Sequence, residues 1–279
     1  VALSCGIEEG LIRENDEYYC ENGRYRIHDL ILKDHEPHEE LTVREILMYS
    51  SNIGIAKIVE NYNSGLIYDY VRKFGFGSKT GITLPSEANG ILNTYSDWTH
   101  VSDVYVSIGQ EINSTTLQTA MAYSVIANGG YLLRPKILRN ITNKNEILYE
   151  SHPVVIRKVI SNSTASKIIS ILEGVVESGS GSKAQINGYK IAGKTGTSET
   201  FENGIKSNTN YISSFAGIFP SNHPKYVCVI SIDSPSVYGS HWGSVSAAPT
   251  VRNIFRRIIT ESTDISPFEP KVLVRDAKI

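Results

Sequence analysis

The stretch KIAGKTGTS, residues 190–198, decides how this chain is read. It has the pattern of an edge strand carrying Lys194, Thr195, Gly196 and Thr197. Thr195 and Thr197 share one face, because side chains alternate along a strand with a period of two. Gly196 lets a substrate backbone lie close against the strand. Lys194 can hold a carboxylate or assist proton transfer. The same letters also fit the phosphate-binding pattern G-x-x-x-x-G-K-[ST], from Gly188 to Thr195. That loop needs a buried strand before it and a helix after it. The flanks here are SGSGSKAQING and GTSETFENG, turn-like and without a helical period, so the nucleotide reading is set aside.

Working outward, 279 residues suffice for one large domain or two modest ones. Hydrophobic residues make up 41% and charged residues 20%, an ordinary globular composition. The net charge of -2 offers no nucleic-acid footprint. No apolar run is long enough to span a bilayer, and Val1-Ala2-Leu3 is too short for a signal peptide. Three cysteines, Cys5, Cys20 and Cys228, show no metal spacing; a Cys5–Cys20 bridge fits the spacing, but unpaired thiols fit better. His28, His35 and His38 stand near Asp34, Glu36, Glu39 and Glu40, but the segment also holds Pro37 and reads as a solvated loop, so no metal is assigned.

Residues 1–12 read as the back end of a helix stopped at Gly10. A short hairpin is predicted near Tyr25–Leu32. Thr42-x-x-Glu45 is a capping box that starts a helix through Tyr49, and a second helix runs from about Ile53 to Tyr62. Ser50-x-Asn52, the only S-x-N in the chain, then sits in the turn between them. Its hydroxyl and amide can converge on one cleft, although on its own the pattern reads as helix capping. A second Lys-Thr-Gly at Lys79 lies in a turn-rich connection and reads as structural. Further helices are predicted over Tyr68–Phe74, over Thr115–Ala127 with Ser114 as cap, and from a cap at Ser163 to about Glu177. A hairpin is predicted over 135–150. Strands at Lys190–Ser198, Tyr211–Phe219 and Tyr226–Asp233 have short connections suited to an antiparallel meander. A last helix, about Ser246–Thr260, covers one face, and the tail after Glu261 is expected on the surface. The sum is an α+β chain: a mainly helical lobe over about 1–130 and a sheet-containing lobe with a C-terminal helix over 131–279.

These pieces, in this order, resemble the transpeptidase domain of class B penicillin-binding proteins. The resemblance rests on LTVREILMYSSNIGIAKI (41–58), FGFGSKTGITLPSE (74–87), SIGQEINSTTLQTAMAYSVIANGG (107–130), IAGKTGTSET (191–200) and YISSFAGIFP (211–220). Each alone is a weak signal; together they are specific and span nearly the whole chain. YISSFAGIFP looks more like the division or sporulation type than the elongation type. The resemblance implies the fold of penicillin-binding transpeptidases and serine β-lactamases, an antiparallel sheet covered by helices plus a helical lobe, of multidomain α/β type. It implies serine acyl transfer at D-alanyl-D-alanine stems of peptidoglycan, inhibition by β-lactams, and no cofactor. It also implies a membrane-embedded glycosyltransferase and division proteins as partners. The location it implies is the outer face of the cytoplasmic membrane, with an anchor upstream of this chain. By the same resemblance Ser50 shuttles a proton, and Asn52 binds the substrate amide and orients Lys194. Lys194 then supplies positive potential, Thr195 and Thr197 bind the terminal carboxylate, and the Thr197 N–H is half of an oxyanion hole.

One departure stands out. The family's Ser-x-x-Lys motif, which carries the nucleophile and its base, is missing from its expected place and would fall just before Val1. The one Ser-x-x-Lys present, Ser180–Lys183, lies in a Gly/Ser loop and is read as coincidence. The chain is therefore expected to be a truncated domain, lacking also the first strands of the sheet and inactive as it stands. Competing readings are a serine β-lactamase or D,D-carboxypeptidase of the same superfamily, and a non-catalytic scaffold.

Overall fold

A computed structural model of the protein describes residues 1–144, 146–202, 205–235 and 240–268. Eight α-helices are described: α1 (Ala2–Glu8), α2 (Val43–Tyr49), α3 (Asn52–Val59), α4 (Leu66–Lys73), α5 (Ser102–Ser107), α6 (Thr116–Ala127), α7 (Asn162–Glu177) and α8 (Ala247–Glu261). Short antiparallel pairs decorate them: β1 (Glu17–Tyr19) with β4 (Glu40–Thr42), the hairpin β2 (Arg24–Ile27) and β3 (Leu30–Lys33), and β5 (Ile91–Leu92) with β6 (Ile112–Asn113). β7 (Tyr131–Leu133) pairs with β10 (Val155–Lys158), and between them the exposed hairpin β8 (Asn140–Asn143) and β9 (Glu146–Glu150) projects. The main sheet is β11 (Ala192–Glu202), β12 (Ile205–Phe219) and β13 (Tyr226–Asp233), antiparallel in that order.

The alternation along β12 settles the layers. Phe215 and Phe219 are fully buried with Val251 and Phe255 of α8. Ile218, one step out of phase, joins the larger core built by α1–α7. The sheet is thus covered by α8 on one face and by the helical layer on the other. Helix α7 ties the two together. It packs on α1, α2, α6 and β11; Ile168, Ile171, Leu172 and Val175 enter the larger core, while Val176 enters the α8 core. Each such buried side chain contributes about 1.5–3 kcal/mol relative to exposure.

Several expectations need correction. The cap of α7 is Ser161, whose hydroxyl accepts from the Thr164 N–H at 3.2 Å, not Ser163. The cap of α6 is Thr115, in a capping box with Gln118, not Ser114. In both cases the true cap is tied to a residue far off in the chain: Ser161 Oγ donates to Glu8 at 2.8 Å, and Thr115 pairs with Gln118, itself held by Ser78 and Asn89. Leu117, Met121 and Ser124, which the helical period over 115–127 sets facing inward with Val125, are only partly buried, while Gln118 is buried with its amide donating to the Ser78 and Asn89 carbonyls, both at 2.7 Å. The tail is not wholly superficial: Ile265 is buried in the α8 core and Asp264 accepts from Lys225 at 2.6 Å, while residues 269–279 lie outside the described set. Asn145, part of the predicted hairpin turn, lies outside it too. Cys5, Cys20 and Cys228 are all free thiols.

Glu8 at the end of α1 accepts from Ser161 N–H at 2.9 Å, from Ser161 Oγ at 2.8 Å and from Thr164 Oγ1 at 2.5 Å, so its carboxylate sits on the N-terminus of α7. Burial works to raise the Glu8 pKa, but these hydrogen bonds outweigh it and hold it below the usual glutamate value. A depressed folded-state pKa stabilises above the unfolded pKa and loses that contribution as pH falls. Glu8→Gln should therefore cost about 2 kcal/mol at pH 7, since hydrogen bonds to charged groups are the strong ones. In urea unfolding, the gap to the native protein should close as pH falls below about 4.3, the ordinary glutamate pKa.

Candidate active site

The site is built on the turn between α2 and α3. Thr42 and Glu45 close the capping box that starts α2. The helix ends at Ser50, which takes a left-handed conformation (φ 60, ψ 40). For a residue with a Cβ this costs about 1–2 kcal/mol, so the turn is held by its neighbours. Ser51 caps α3 by accepting from the Gly54 N–H at 2.9 Å. Asp34, just after β3, accepts from Ser51 Oγ at 2.5 Å and from the Ile53 N–H at 3.0 Å. Asp34, read from sequence as part of a solvated loop, is thus a second cap. A carboxylate at a helix N-terminus is favoured by the helix dipole and its open N–H groups. Among the described residues no group of three or more His, Cys, Asp or Glu is arranged to hold a metal.

Strand β11 brings the cation. Among the described residues it is the outer strand of the sheet, with one side of its backbone not paired in the ladder. Lys194 pairs with Ala216, Thr195 with Phe215, Gly196 with Ser214 and Thr197 with Ser213. Phe215 faces α8, so Thr195 and Thr197 share that side, while Lys194 and Gly196 share the helical side. Lys194 Nζ donates to Ser50 Oγ, joining the sheet to the α2–α3 turn. Thr195 Oγ1 donates to Ser180 Oγ at 3.1 Å, and Ser180 Oγ lies 3.3 Å from Ser50 Oγ. Thr197 Oγ1 accepts from the Gly243 N–H at 3.2 Å.

Two glycines explain the close fit. A Cβ on Gly196 would stand 2.5 Å from Ser214 Oγ, so the missing side chain first accommodates the neighbouring strand. A Cβ on Gly243 would stand 2.4 Å from Ser214 O and 2.6 Å from Gly196 O, so the segment before α8 lies directly on the sheet backbone.

Residues 194–200 line a cleft of about 740 Å³ closed on the other side by residues 108–114, Thr116, Thr119 and Tyr123. Among the described residues that line it, Lys194 is the one cation. It is half-buried rather than exposed at a strand tip, and burial pulls its pKa down to about 8. At neutral pH the ammonium still dominates but holds its proton less tightly than a free lysine, so Lys194 can both attract an anion and exchange a proton with Ser50.

Of the residues singled out from sequence, Ser50, Lys194 and Thr195 are brought into one hydrogen-bonded group. Gly196 and Thr197 continue the same strand along the cleft. Asn52 lies at the first turn of α3, and its amide nitrogen donates to the Lys33 carbonyl at 3.1 Å; from this turn it is Ser50 that meets Lys194. The phosphate-loop reading fails on geometry, because Lys194 is inside a strand that continues to Glu202. Lys79-Thr80-Gly81 is structural: Glu87 accepts from the Thr80 N–H at 2.6 Å and the Gly81 N–H at 3.2 Å. Three participants were missed, namely Ser180, Asp34 and Gly243. Ser180 had a legible signal in the Ser-x-x-Lys it opens, but Lys183 is exposed, while the serine hydroxyl meets Ser50 and Thr195.

Residues 1–256 match the family model described as the penicillin binding protein transpeptidase domain. The chain belongs to this family. It is 31% identical over 267 residues to stage V sporulation protein D of Bacillus subtilis, covering 94% of this chain and 41% of that protein. It is 30% identical to the peptidoglycan D,D-transpeptidase FtsI homolog of Mesostigma viride, covering 93% of this chain and 48% of that one. The chain thus spans less than half the length of these curated relatives. Penicillin-binding protein 3 of Mycobacterium tuberculosis complexed with ampicillin superposes with a TM-score of 0.87 at 29% identity, over 97% of this chain and 62% of that one. The transpeptidase domain of Burkholderia pseudomallei penicillin-binding protein 3 gives 0.86 at 26%, over 96% and 78%. The expected α+β transpeptidase fold is therefore the observed one.

The depressed pKa of Lys194 has a sign that can be checked in this transpeptidase domain. Between pH 8 and the unfolded lysine pKa of about 10.4 the unfolded chain binds the extra proton, so stability rises with pH there. Relative to Lys194→Met, the native protein should gain thermal stability as pH is raised from 7 to 10. Thermal midpoints of both proteins across that range measure it; a constant difference would contradict the assigned burial.

Proposed function

We propose that the full protein is a peptidoglycan D,D-transpeptidase acting by serine acyl transfer, and that this chain supplies the proton-shuttling and carboxylate-binding half of its site. The observation that carries this is the joining of a half-buried Lys194 to Ser50, beside Thr195 on the cleft-lining edge strand.

In this reading a serine attacks the penultimate D-Ala carbonyl of a stem peptide. The bond to the terminal D-Ala nitrogen breaks, and the leaving amine takes a proton through Ser50. Lys194, hydrogen-bonded to Ser50, feeds that relay and holds positive potential over the substrate carboxylate. The hydroxyls of Thr195 and Thr197 receive the carboxylate, and the Thr197 N–H contributes to the oxyanion hole, where one donor is worth about 3 kcal/mol of barrier. Asn52 contacts the substrate amide. An amine of a neighbouring stem then attacks the acyl-enzyme, forming the crosslink and restoring the serine. No metal or organic cofactor enters these steps. β-Lactams acylate the same serine. The nucleophile and its base are, in this reading, those of the family's Ser-x-x-Lys motif in the full protein. By the same reading the catalytic domain works at the outer face of the cytoplasmic membrane beside a glycosyltransferase and division or sporulation proteins.

Two measurements test this. Full-length protein should be labelled by a fluorescent penicillin, and Lys194→Ala should lower the acylation rate about 100-fold or more while circular dichroism stays unchanged. Unaltered labelling of that variant would remove Lys194 from the site. The 279-residue chain alone should show no mass increase with penicillin. An adduct on Ser180 in that experiment would overturn the assignment of the nucleophile.

A further inference from the structure

Ser180 lies where no role was assigned to it. Its Oγ is 3.3 Å from Ser50 Oγ and accepts from Thr195 Oγ1 at 3.1 Å. Ser50 in turn accepts from Lys194 Nζ. Four polar groups therefore form one chain: Lys194, Ser50, Ser180, Thr195. Its ends are the cation of the proton relay and a hydroxyl placed to meet a carboxylate.

A hydroxyl has one proton and can accept twice. Thr195 donates its proton to Ser180, and Ser180 can accept that of Ser50 as well. A carboxylate in the cleft accepts the Thr195 proton instead, because a hydrogen bond to an anion is roughly twice as strong as a neutral one. Ser180 then loses a donor and is free to turn its own proton to Ser50. That leaves the Ser50 proton for the reacting centre. We propose that Ser180 is a positioning residue which couples carboxylate recognition at Thr195 to the orientation of the Ser50 hydroxyl. This rests on the transpeptidase reading.

The loop does not need this hydroxyl to keep its shape. The Ser180 N–H donates to Met48 O at 3.1 Å and the Gly181 N–H to Val175 O at 2.9 Å. The Gln185 amide donates to Val176 O at 2.7 Å and Glu177 O at 2.6 Å. Removing the Oγ leaves all of these in place, so an effect on chemistry separates from an effect on folding.

The test uses full-length protein and a fluorescent penicillin, with the acylation rate constant and the pre-covalent binding constant measured separately, together with thermal midpoints. Ser180→Ala should acylate about ten-fold more slowly, the loss expected for one interior hydrogen bond, with the binding constant and the midpoint little changed. Ser180→Cys keeps the shape but is a weak donor and should be slow as well. Ser180→Thr restores a hydroxyl and should recover the native rate within about two-fold. Native-like rates for the Ala or Cys variant, or a Thr variant as slow as Ala, would overturn the proposal while leaving the transpeptidase reading intact. Absence of labelling in the native protein itself would overturn both.

Discussion

The hydrogen bond from Lys194 to Ser50 is the point at which the sheet and the helices meet chemically, and it depends on how firmly those layers are held. Neither end is placed by local structure alone. Ser50 follows α2, and Lys194 is the third residue of β11. What relates them is α7, which packs on α2 with one side and on β11 with another. Its Ile171 and Val175 are fully buried in the larger core, and Val176 is nearly so in the other. A close-packed interior of this kind tolerates little displacement, so the cation and the hydroxyl meet in a defined geometry.

Around this contact the structure accepts local cost. Ser50 has a left-handed backbone without being glycine, and Lys194 keeps its amine where burial disfavours the charge. The strain at Ser50 is offset by the two caps on α3, Ser51 and Asp34, which fix the residues just after it. The depressed lysine pKa is the counterpart of the same enclosure: a site closed enough to strengthen electrostatics cannot also solvate the ammonium fully. Strain and desolvation of this sort gather where chemistry is done rather than where the fold is held.

Much of this was legible. The meander over β11–β13, the Thr42–Glu45 box and the Ser50–Asn52 turn each follow from short-range rules of alternation and capping. The bounds of α6 and α7 were misplaced by one or two residues because several serines and threonines stand in a row at each start. The choice among them is made by distant partners: Glu8 selects Ser161, and Gln118, held by Ser78 and Asn89, selects Thr115. Asp34 and Ser180 were misread for a related reason. Each sits in a polar, glycine- or charge-rich segment whose composition says loop, and its partners lie 17 and 130 residues away. Only the fold joins them to the site.

The loop after α7 has a consequence for how this sequence can vary in length. Its backbone is fastened to Met48 and to Val175 within two consecutive residues, and β11 follows only a short way on. An added or deleted residue there has no slack to absorb it and would shift the whole lysine-bearing strand against the α2–α3 turn. The β8–β9 hairpin is the opposite case: every described residue of both strands is exposed, and among the described residues each strand pairs only with the other. Indels should therefore accumulate freely at that hairpin among relatives, while the spacing from Val175 to Lys194 behaves as a fixed measure of the fold.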